Sequence, residues 1–358
     1  MDLYNIYELK INPKSSFMSK LQSDTIWGHI IWAIRYIEGE EYLNEVLREF
    51  KNNNSPFIVS DGFASGYFPF IKKGIMTIMQ TKKVEEKRND LNKSKIKLHT
   101  KLVNQFNKVD YIDLETFNKL RDDKIVSKVY SEVLTNKRCP ITLKRFSLEA
   151  KDSIKLYMTD IKEYIRKFEV VQYNDLIKTV SITKNKINRL TNSSEQEDGS
   201  GLFTVYETFY NTSISIYIKL RSDIDINRFK TYLEYIEESG FGKKASVGKG
   251  QFDIISFNRR EDLEKNQYLG NGFVVLSNYI PKENDYKEVI GCNTITKRGK
   301  VHSQGNNVFK KPFICFSAGS VFRGNVISNK GRVLTNLYYD NNIVQCGIPF
   351  ILGVNLNE

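Results

Sequence analysis

A chain of 358 residues with 40% hydrophobic content is long enough to bury a sizeable core and to form two domains. Its formal net charge of +12 and its sequence pI of about 9.2 favour an anionic partner, either nucleic acid or a membrane surface. No apolar run approaches the roughly 18 residues of a membrane-spanning helix, and the first residues lack a signal-peptide pattern, so we expect a cytoplasmic protein.

The start of the chain predicts strand, helix, strand. Residues 4–11 are β-prone, and Ser23 and Asp24 supply side chains for a helix N-cap ahead of an apolar stripe at helical spacing. We expect this helix to end near Gly39 and a short second helix to follow, before a strand at residues 57–59.

A long insertion, about residues 72–170, comes next. Its first part, to Lys101, contains ten Lys or Arg against three Asp or Glu, which is typical of a solvated segment. Residues 113–134 are predicted to be helical. Residues 181–210 then contain a basic run, a polar tip and a returning β-prone run, which predict a long β-hairpin or an ordinary surface loop.

Residues 213–257 repeat the opening pattern. Residues 213–220 alternate strictly, as expected of a strand with one buried face. A helix with Asn227 as its cap and Gly240 as its end follows, and residues 251–257 form another strand. Two strand–helix–strand halves make a ferredoxin-like βαββαβ sheet, an α+β architecture shared with RNA-recognition (RRM-like) domains.

One loop, residues 240–250, concentrates glycine and lysine in the sequence Gly-Phe-Gly-Lys-Lys-Ala-Ser-Val-Gly-Lys-Gly. Glycine permits positive φ and close approach of the backbone to a ligand, and lysine charge suits phosphate. The alternative is a mobile turn without a ligand. We predict a phosphate site formed by Gly240, Gly242, Lys243, Lys244, Ser246, Gly248, Lys249 and Gly250.

The last part of the chain, residues 266–358, is predicted to form a second domain after a first domain of residues 1–258. Residues 291–339 contain eight Lys or Arg and no acidic residue. A Gly-rich stretch of one charge sign indicates nucleic acid more strongly than net charge does. Within it we predict RNA contacts at Arg298, Lys300, His302, Gly319, Ser320 and Arg323.

The cysteines predict no metal site and no other cofactor. None of the four, at positions 139, 292, 315 and 346, forms a Cys-x-x-Cys pair or has a histidine at ligand spacing. The basic residues lie in Gly-rich and β-prone segments instead of along an amphipathic helix, which argues against a membrane surface as the anionic partner.

Several motifs follow one another along nearly the whole chain. They are Ser23-Asp-Thr-Ile-Trp-Gly28, Tyr67-Phe-Pro-Phe70, Lys186-Ile-Asn-Arg189 before Gly201-Leu-Phe203, the loop at residues 240–250, and Gly319-Ser-Val-Phe322. In this order they resemble the RAMP-type Csm subunits of type III-A CRISPR effector complexes, most closely the fourth subunit. The chain departs from the family at residues 67–72, where Leu-Pro-Lys-Pro is usual, and in its long insertion.

The resemblance implies two ferredoxin-like domains that hold the repeat-derived 5′ tag of the crRNA in antiviral interference. It also implies contacts with the large polymerase-like subunit and with the first backbone RAMP subunit. The 181–210 hairpin would be the RAMP thumb, and Lys186 and Arg189 join the predicted RNA contacts. Phe241 or Phe322 could stack on a base or belong to the core.

Two alternatives stay open beside this non-catalytic role. Some RAMP relatives cleave RNA without a metal, which needs an acid and a base, and His29 in the first helix is the candidate. However, His29 lies beside the apolar stripe, so we expect a structural histidine. Asp24, a second candidate for cleavage, lies at a helix start, so we expect it to be a helix cap. The second alternative is a protein scaffold without direct RNA contact.

Overall fold

The computed structural model describes residues 4–72, 111–122, 176–187, 194–196, 199–265, 267–301, 309–326, 330–340 and 343–356. Most of the predicted insertion lies outside these residues, as do Arg189 and His302. Within them the protein is α+β, as predicted, with few helices and several antiparallel sheets.

The elements of the first part of the chain are, in order, β1 (Tyr4–Pro13), α1 (Ser23–Lys51), β2 (Phe57–Ala64), β3 (Tyr67–Pro69), β4 (Tyr111–Asp113), α2 (Leu114–Leu120), β5 (Ile177–Asn185), β6 (Glu195–Gln196), β7 (Gly199–Ser200), β8 (Leu202–Tyr210), β9 (Ile214–Arg221), α3 (Ile226–Ser239), a 3-10 turn (Ala245–Val247), β10 (Phe252–Arg259) and α4 (Glu261–Glu264). The later strands are β11 (Gly272–Val275), β12 (Glu288–Gly291), β13 (Thr294–Lys297), β14 (Phe313–Phe316), β15 (Val321–Arg323), β16 (Val333–Leu334), β17 (Gln345–Cys346) and β18 (Ile351–Val354).

The first sheet joins the two predicted strand–helix–strand segments. Its strands lie in the order β10–β1–β9–β2 and are all antiparallel. Counted along the chain they are the fourth, first, third and second strands, with α1 after the first and α3 after the third. The apolar sides of both helices pack on one face of this sheet.

Helix α1 agrees with one expectation and corrects another. Gly39, with φ of 89° and ψ of 178°, interrupts its helical geometry where the first helix is predicted to end. Ser23 is not the N-cap, because Gln22 occupies that position and Asp61 Oδ1 accepts from the Ser23 N–H at 2.7 Å. The helix start abuts the second sheet, so the Ser23 hydroxyl accepts from the Asn278 N–H instead.

The N-cap of helix α3 lies two residues before the predicted cap. The Asp225 carboxylate is the N-cap and accepts from the Asn227 N–H at 2.9 Å, so the cap assignment to Asn227 is wrong. Gly240 ends the helix as predicted, with φ of 78° and its N–H donating to the Ile236 carbonyl oxygen. The loop that follows is therefore held at a fixed helix end.

The second sheet has the order β12–β15–β11–β18, again all antiparallel. Numbered by their order along the chain, these strands are the second, third, first and fourth of this sheet. Read from the opposite edge, the order is fourth, first, third, second, which is the order of the first sheet. The connection from β11 to β12, residues 276–287, is fully described and contains no helix.

The two sheets pack against each other. Ile6 and Tyr217 of the first sheet share one buried cluster with Val274 and Leu352 of the second. The second sheet therefore covers the face of the first sheet that α1 and α3 leave open. The division into domains at residues 1–258 and 266–358 stays a prediction.

Strand β9 is buried on both faces, which the sequence did not predict. Ile214, Ile216 and Ile218 face the helices, as the alternation indicates. The residues between them, including Ser215 and Tyr217, are buried as well. The expectation of one buried face is wrong because the second sheet covers the other.

Two hairpins extend from this body. Strands β5 and β8 pair along their whole length, from Ile177 opposite Tyr210 to Asn185 opposite Leu202. Strands β13 and β14 pair from Thr294 opposite Phe316 to Lys297 opposite Phe313. We call them the first and second hairpin. Of the predicted helix at residues 113–134, the described part contains only the short α2.

Candidate nucleic-acid interface

The loop of residues 240–250, hereafter the glycine loop, is a compact turn. All four of its glycines have positive φ, between 67° and 82°. A Cβ on Gly250 would lie 2.0 Å from the Phe241 carbonyl oxygen, and one on Gly242 would lie 2.5 Å from Ser19 Cβ. The loop therefore needs glycine at both positions for close backbone packing.

Most backbone donors of the glycine loop are used inside the protein, at 2.9–3.2 Å from their acceptors; they belong to Gly240, Phe241, Gly242, Lys243, Val247, Gly248, Lys249 and Gly250. A folded loop has to satisfy its own buried backbone groups. The four glycines predicted to face phosphate therefore shape the loop, and their N–H groups are not offered to a ligand.

Three consecutive N–H groups are different. Among the residues described, those of Lys244, Ala245 and Ser246 have no hydrogen-bond acceptor. The side chains of Lys243, Lys244 and Ser246 are exposed. Lys244 itself has a left-handed backbone, with φ of 68°. The open donors and two ammonium groups lie on one short, outward-facing stretch.

Lys249 is not part of this outward-facing stretch. Its Nζ donates to Glu207 Oε2 at 2.6 Å and to Ser16 Oγ at 2.8 Å. Lys184 Nζ lies 3.3 Å from the other oxygen of the same carboxylate. Glu207 is almost fully buried, so Lys249 neutralises a buried charge and is not available to phosphate in this arrangement.

The carboxylate of Glu207 is held in its charged form. Hydrogen bonds from Lys249 and then from Ser16 lower its pKa to about 2. Sequence reasoning missed this residue. A carboxylate within the β-prone run at residues 202–209 was the available signal, since an acidic side chain in a strand that packs inward has to find a partner.

A second missed feature is the connection between β1 and α1. Ser15 Oγ accepts from the Gln251 N–H, and Ser19 Oγ accepts from the Lys243 N–H, both at 2.9 Å. The N–H of Phe17 and that of Thr208 each donate to the other residue's carbonyl oxygen at 2.8 Å. This connection thus fastens the glycine loop and the first hairpin to the same short segment.

His29 and Asp24 both have structural partners. His29 Nε2 accepts from the Gly242 N–H at 3.0 Å, and burial lowers its pKa to about 4, so the ring is neutral at pH 7. The Asp24 carboxylate accepts from Asn278 and Gln345 and pairs with Lys297. The expected cap role of Asp24 is wrong, because this side chain links α1 to the second sheet.

The basic residues of the second hairpin and its continuation divide into inward and outward cations. Lys297 pairs with Asp24, and Lys310 Nζ donates to the Val344 carbonyl oxygen at 2.9 Å. Arg298 and Lys300 are exposed, as predicted for RNA contacts. Strand alternation explains the division, because neighbouring residues point to opposite faces.

The remaining predicted contacts lie in strand β15 of the second sheet or in the turn just before it. The Gly319 N–H donates to the Val275 carbonyl oxygen at 2.7 Å, and the fully buried Ser320 donates its hydroxyl to Ser317. Arg323 is partly exposed and donates to Glu288 at 3.2 Å. Gly319 and Ser320 are therefore not available as phosphate donors.

The exposed aromatic residues are not the ones that the sequence suggested. Phe241 and Phe322 are buried, so the core alternative is confirmed for both and neither can stack on a base. The first hairpin instead exposes Tyr206, at 67% of its surface, and Phe203. Lys186 is exposed at the end of the same hairpin.

Two negative findings hold for the described residues alone. No group of three or more His, Cys, Asp or Glu side chains could hold a metal ion there. In the same part of the chain, each helix is too short or too polar to cross a bilayer.

Comparison with known proteins gives structural matches only. No family model and no curated protein sequence matches the chain. A chain of the solved Csm1–Csm4 cassette in complex with pppApA matches with a TM-score of 0.53 at 15% identity, covering 99% of each chain. A chain of the Csm3–Csm4 subcomplex of the type III-A CRISPR-Cas interference complex matches with a TM-score of 0.53 at 16% identity, covering 98% of this chain and 100% of that one.

These matches extend over almost the whole of both chains. The chain therefore shares its fold, along nearly its entire length, with chains of the solved Csm1–Csm4 and Csm3–Csm4 assemblies, and the resemblance predicted from the sequence motifs is confirmed at the level of the fold.

Proposed function

We propose that this protein is a non-catalytic, RNA-binding subunit of a type III-A CRISPR effector complex. It holds the 5′ repeat-derived tag of the crRNA and bridges the large polymerase-like subunit to the backbone RAMP subunits. The observation that carries the proposal is the open stretch at residues 243–246, on a fold shared with chains solved in Csm1–Csm4 and Csm3–Csm4 assemblies. The equal strand order of the two sheets supports two ferredoxin-like domains.

The chemistry of that stretch suits a phosphate group. Backbone N–H groups of Lys244, Ala245 and Ser246 point outward from the start of a turn, where they can converge on an anion. The ammonium groups of Lys243 and Lys244 add charge without an acidic partner among the described residues. Because these contacts read no base edge, they fix the position of an RNA and not its sequence.

The first hairpin fits the role of a thumb beside this site. Its base is fixed to the glycine loop through Glu207 and Lys249, and to the β1–α1 connection through Phe17. Its exposed Tyr206 and Phe203 provide apolar surface that a single-stranded RNA can contact. In this proposal the hairpin and the glycine loop contact one RNA strand together.

The helix layer fits a protein neighbour better than RNA. Trp32, Tyr36 and Tyr235 stack in a ladder, with ring centroids 5.7 and 5.6 Å apart, and Tyr36 is 61% exposed. Residues 33–51 contain five acidic and three basic residues, and residues 225–239 contain four acidic and two basic. An acidic surface repels phosphate, while exposed Trp and Tyr favour protein contacts.

Acid–base catalysis by His29 is not favoured. A general base needs a free nitrogen lone pair within reach of the 2′-hydroxyl, and His29 Nε2 already accepts from Gly242. A pKa of about 4 also leaves too little protonated imidazole at pH 7 for a general acid. Loss of RNA cleavage on His29→Ala in purified protein would contradict the non-catalytic proposal.

The RNA-binding proposal predicts a specific change in salt dependence. Replacing Lys243 and Lys244 by Ala removes two phosphate contacts, so affinity for the tag RNA should fall, and the slope of log K against log salt should fall by about 1.4. The measurement is fluorescence anisotropy over a salt series. The matched control, Lys51→Ala with Lys265→Ala, removes two exposed lysines elsewhere and should leave the slope unchanged.

The RNA itself is identified by co-expression with the neighbouring complex subunits and sequencing of the RNA that co-purifies. A uniform 5′ end with one short repeat-derived tag supports the proposal. Partners bound without RNA, together with an unchanged salt slope in the double variant, would replace it with the scaffold function.

A further inference from the structure

We propose that the outward face of the second hairpin is a nucleobase-stacking site for single-stranded RNA. Phe309 provides the ring, and Arg298 and Lys300 are its flanking cations. This inference rests on the proposed RNA-binding function and adds to the phosphate site a place that receives a base.

The hairpin is fixed from its inward side. Lys297 pairs with Asp24 at the start of α1, and Lys310 donates to the Val344 carbonyl oxygen and to the Gln345 side chain. The pairing continues beyond β13 and β14, because the Lys310 N–H donates to the Gly299 carbonyl oxygen at 2.9 Å. A face supported in this way is preorganised, so little order has to be gained on binding.

Phe309 lies on the outward face, in the segment just before β14. It is opposite Lys300 in an antiparallel bridge and is 37% exposed. The Arg298 guanidinium carbon lies 4.7 Å from its ring centroid and Lys300 Nζ lies 4.8 Å from it. Both cations are exposed and have no anionic partner among the described residues. Both cations thus lie over the ring, and an incoming base would take the place of one of them on the ring while that flexible side chain turns to the base's own phosphate.

This combination matches a nucleotide in chemistry. A base stacks on an aromatic face, and its own phosphate needs a cation close by. The antiparallel bridge puts both groups side by side, and Lys311, two residues beyond Phe309, is a third exposed cation. Residues 291–339 contain no acidic residue, so this basic surface is not neutralised from within its own stretch and suits a phosphate backbone.

The test pairs protein variants with an RNA that lacks one base. The probe is a 3′-labelled oligoadenylate in which each position in turn is abasic, because stacking tolerates any base. Phe309→Ala should weaken binding of the intact RNA by about 5- to 150-fold, the range of one base–aromatic stack. With one particular abasic RNA, the same substitution should cost nothing, since the stack is already missing.

Two further variants keep the result interpretable. Phe309→Trp should retain affinity, and its added indole emission should be quenched by the intact RNA. This fluorescence readout does not depend on whether the Ala variant folds. Ile314→Ala, at an apolar residue of the same face with 65% exposure, should bind as the parent does.

The outcomes separate this inference from the function on which it rests. An equal effect of Phe309→Ala on every abasic RNA, or no effect and no quenching, overturns the stacking site. If the double variant at Lys243 and Lys244 still weakens binding in that case, the RNA-binding function stands. If neither set of variants changes binding, both are wrong.

Discussion

Glu207 shows how one buried side chain can join segments that are far apart in the sequence. Its carboxylate receives Lys249 from the glycine loop, Ser16 from the β1–α1 connection and Lys184 from the first hairpin. Three segments far apart in sequence meet at this single charge. Lys249, which looks like a phosphate ligand in the sequence, is thereby used to hold the loop in place.

The Glu207 site predicts an acid-sensitive stability. A carboxyl group whose pKa is lowered in the folded state stabilises the protein above its unfolded pKa, and this stabilisation is lost as pH falls toward about 2. Glu207→Gln should lower the free energy of unfolding at pH 7 by about 2 kcal/mol, since Lys249 is left without its charged acceptor. The stability difference between variant and parent should shrink as the pH is lowered from about 4.5.

Urea denaturation at a series of pH values checks this expectation. Glu234→Gln, at an exposed carboxylate of α3, is the matched control and should change little. Amide exchange at Thr208 gives a local readout, because its N–H bonds to Phe17 at the base of the hairpin. A pH-independent difference between variant and parent would contradict the assigned charge.

At the scale of elements, the two helices and the second hairpin present opposite chemistry. The helix pair exposes an aromatic ladder within an acidic surface, whereas the hairpin exposes Phe309 among cations. Arg35 lies 5.1 Å from the Trp32 ring, and Arg228 lies 4.1 Å from the Tyr42 ring. The helix layer therefore already accommodates guanidinium groups on its rings, as it would those of a basic protein neighbour.

Replacing Trp32 and Tyr36 together by Ala should weaken assembly with a protein neighbour by at least about tenfold, because exposed Trp and Tyr are typical binding hot spots. RNA affinity should be unchanged. The measurement is biolayer interferometry of the variant against the purified large subunit and, separately, the backbone subunit. Tyr339→Ala, at an exposed tyrosine of the second sheet region, is the control. Parental affinity for both subunits would remove the helix layer from the interface.

At the scale of the whole molecule, the shared core ties the two sheets into one unit. Tyr217 is fully buried between them, with its ring 5.0 Å from Phe68 and 6.5 Å from Phe350. The second sheet alone would expose Val274, Phe350 and their neighbours to water. Burial of this apolar surface is a stabilising contribution that neither sheet has by itself.

We therefore expect the two sheets to unfold together. Tyr217→Ala should lower the free energy of unfolding by about 3–5 kcal/mol, the range for removal of a large buried ring. Circular dichroism in a denaturant series should show a single transition in both parent and variant. Tyr206→Ala removes an exposed tyrosine and should cost little. Two separate transitions in the parent would show that the sheets are independent.

The sequence predicts the first sheet well and the binding surface only in part. Helix and strand periods are local, so α1, α3 and the strands around them follow from residue patterns. The use of a given donor depends on residues distant in the chain, as when Ser16 accepts from Gly250 and His29 from Gly242. Local residue patterns do not predict hydrogen bonds between residues so far apart in the chain.

The same limit explains the other corrections. The alternation in β9 shows one apolar face but cannot show that a second sheet covers the polar one. Lysines of residues 291–339 look equivalent in sequence, and only the strand geometry separates the inward Lys297 and Lys310 from the outward Lys300. The sequence alone does not distinguish Phe309 from a core residue. Its exposure and its contacts with Arg298 and Lys300 are visible only in the structure.

The left-handed backbone of Lys244 has a cost that its neighbours avoid. A side chain with a Cβ in this conformation is destabilised by roughly 1–2 kcal/mol, and glycine, which stands at positions 242 and 248 of the same loop, would relieve the strain. The chain nevertheless has a cation at this position. The glycine loop thus has a charged side chain, at the cost of backbone strain, at the place where its backbone donors have no acceptor among the described residues.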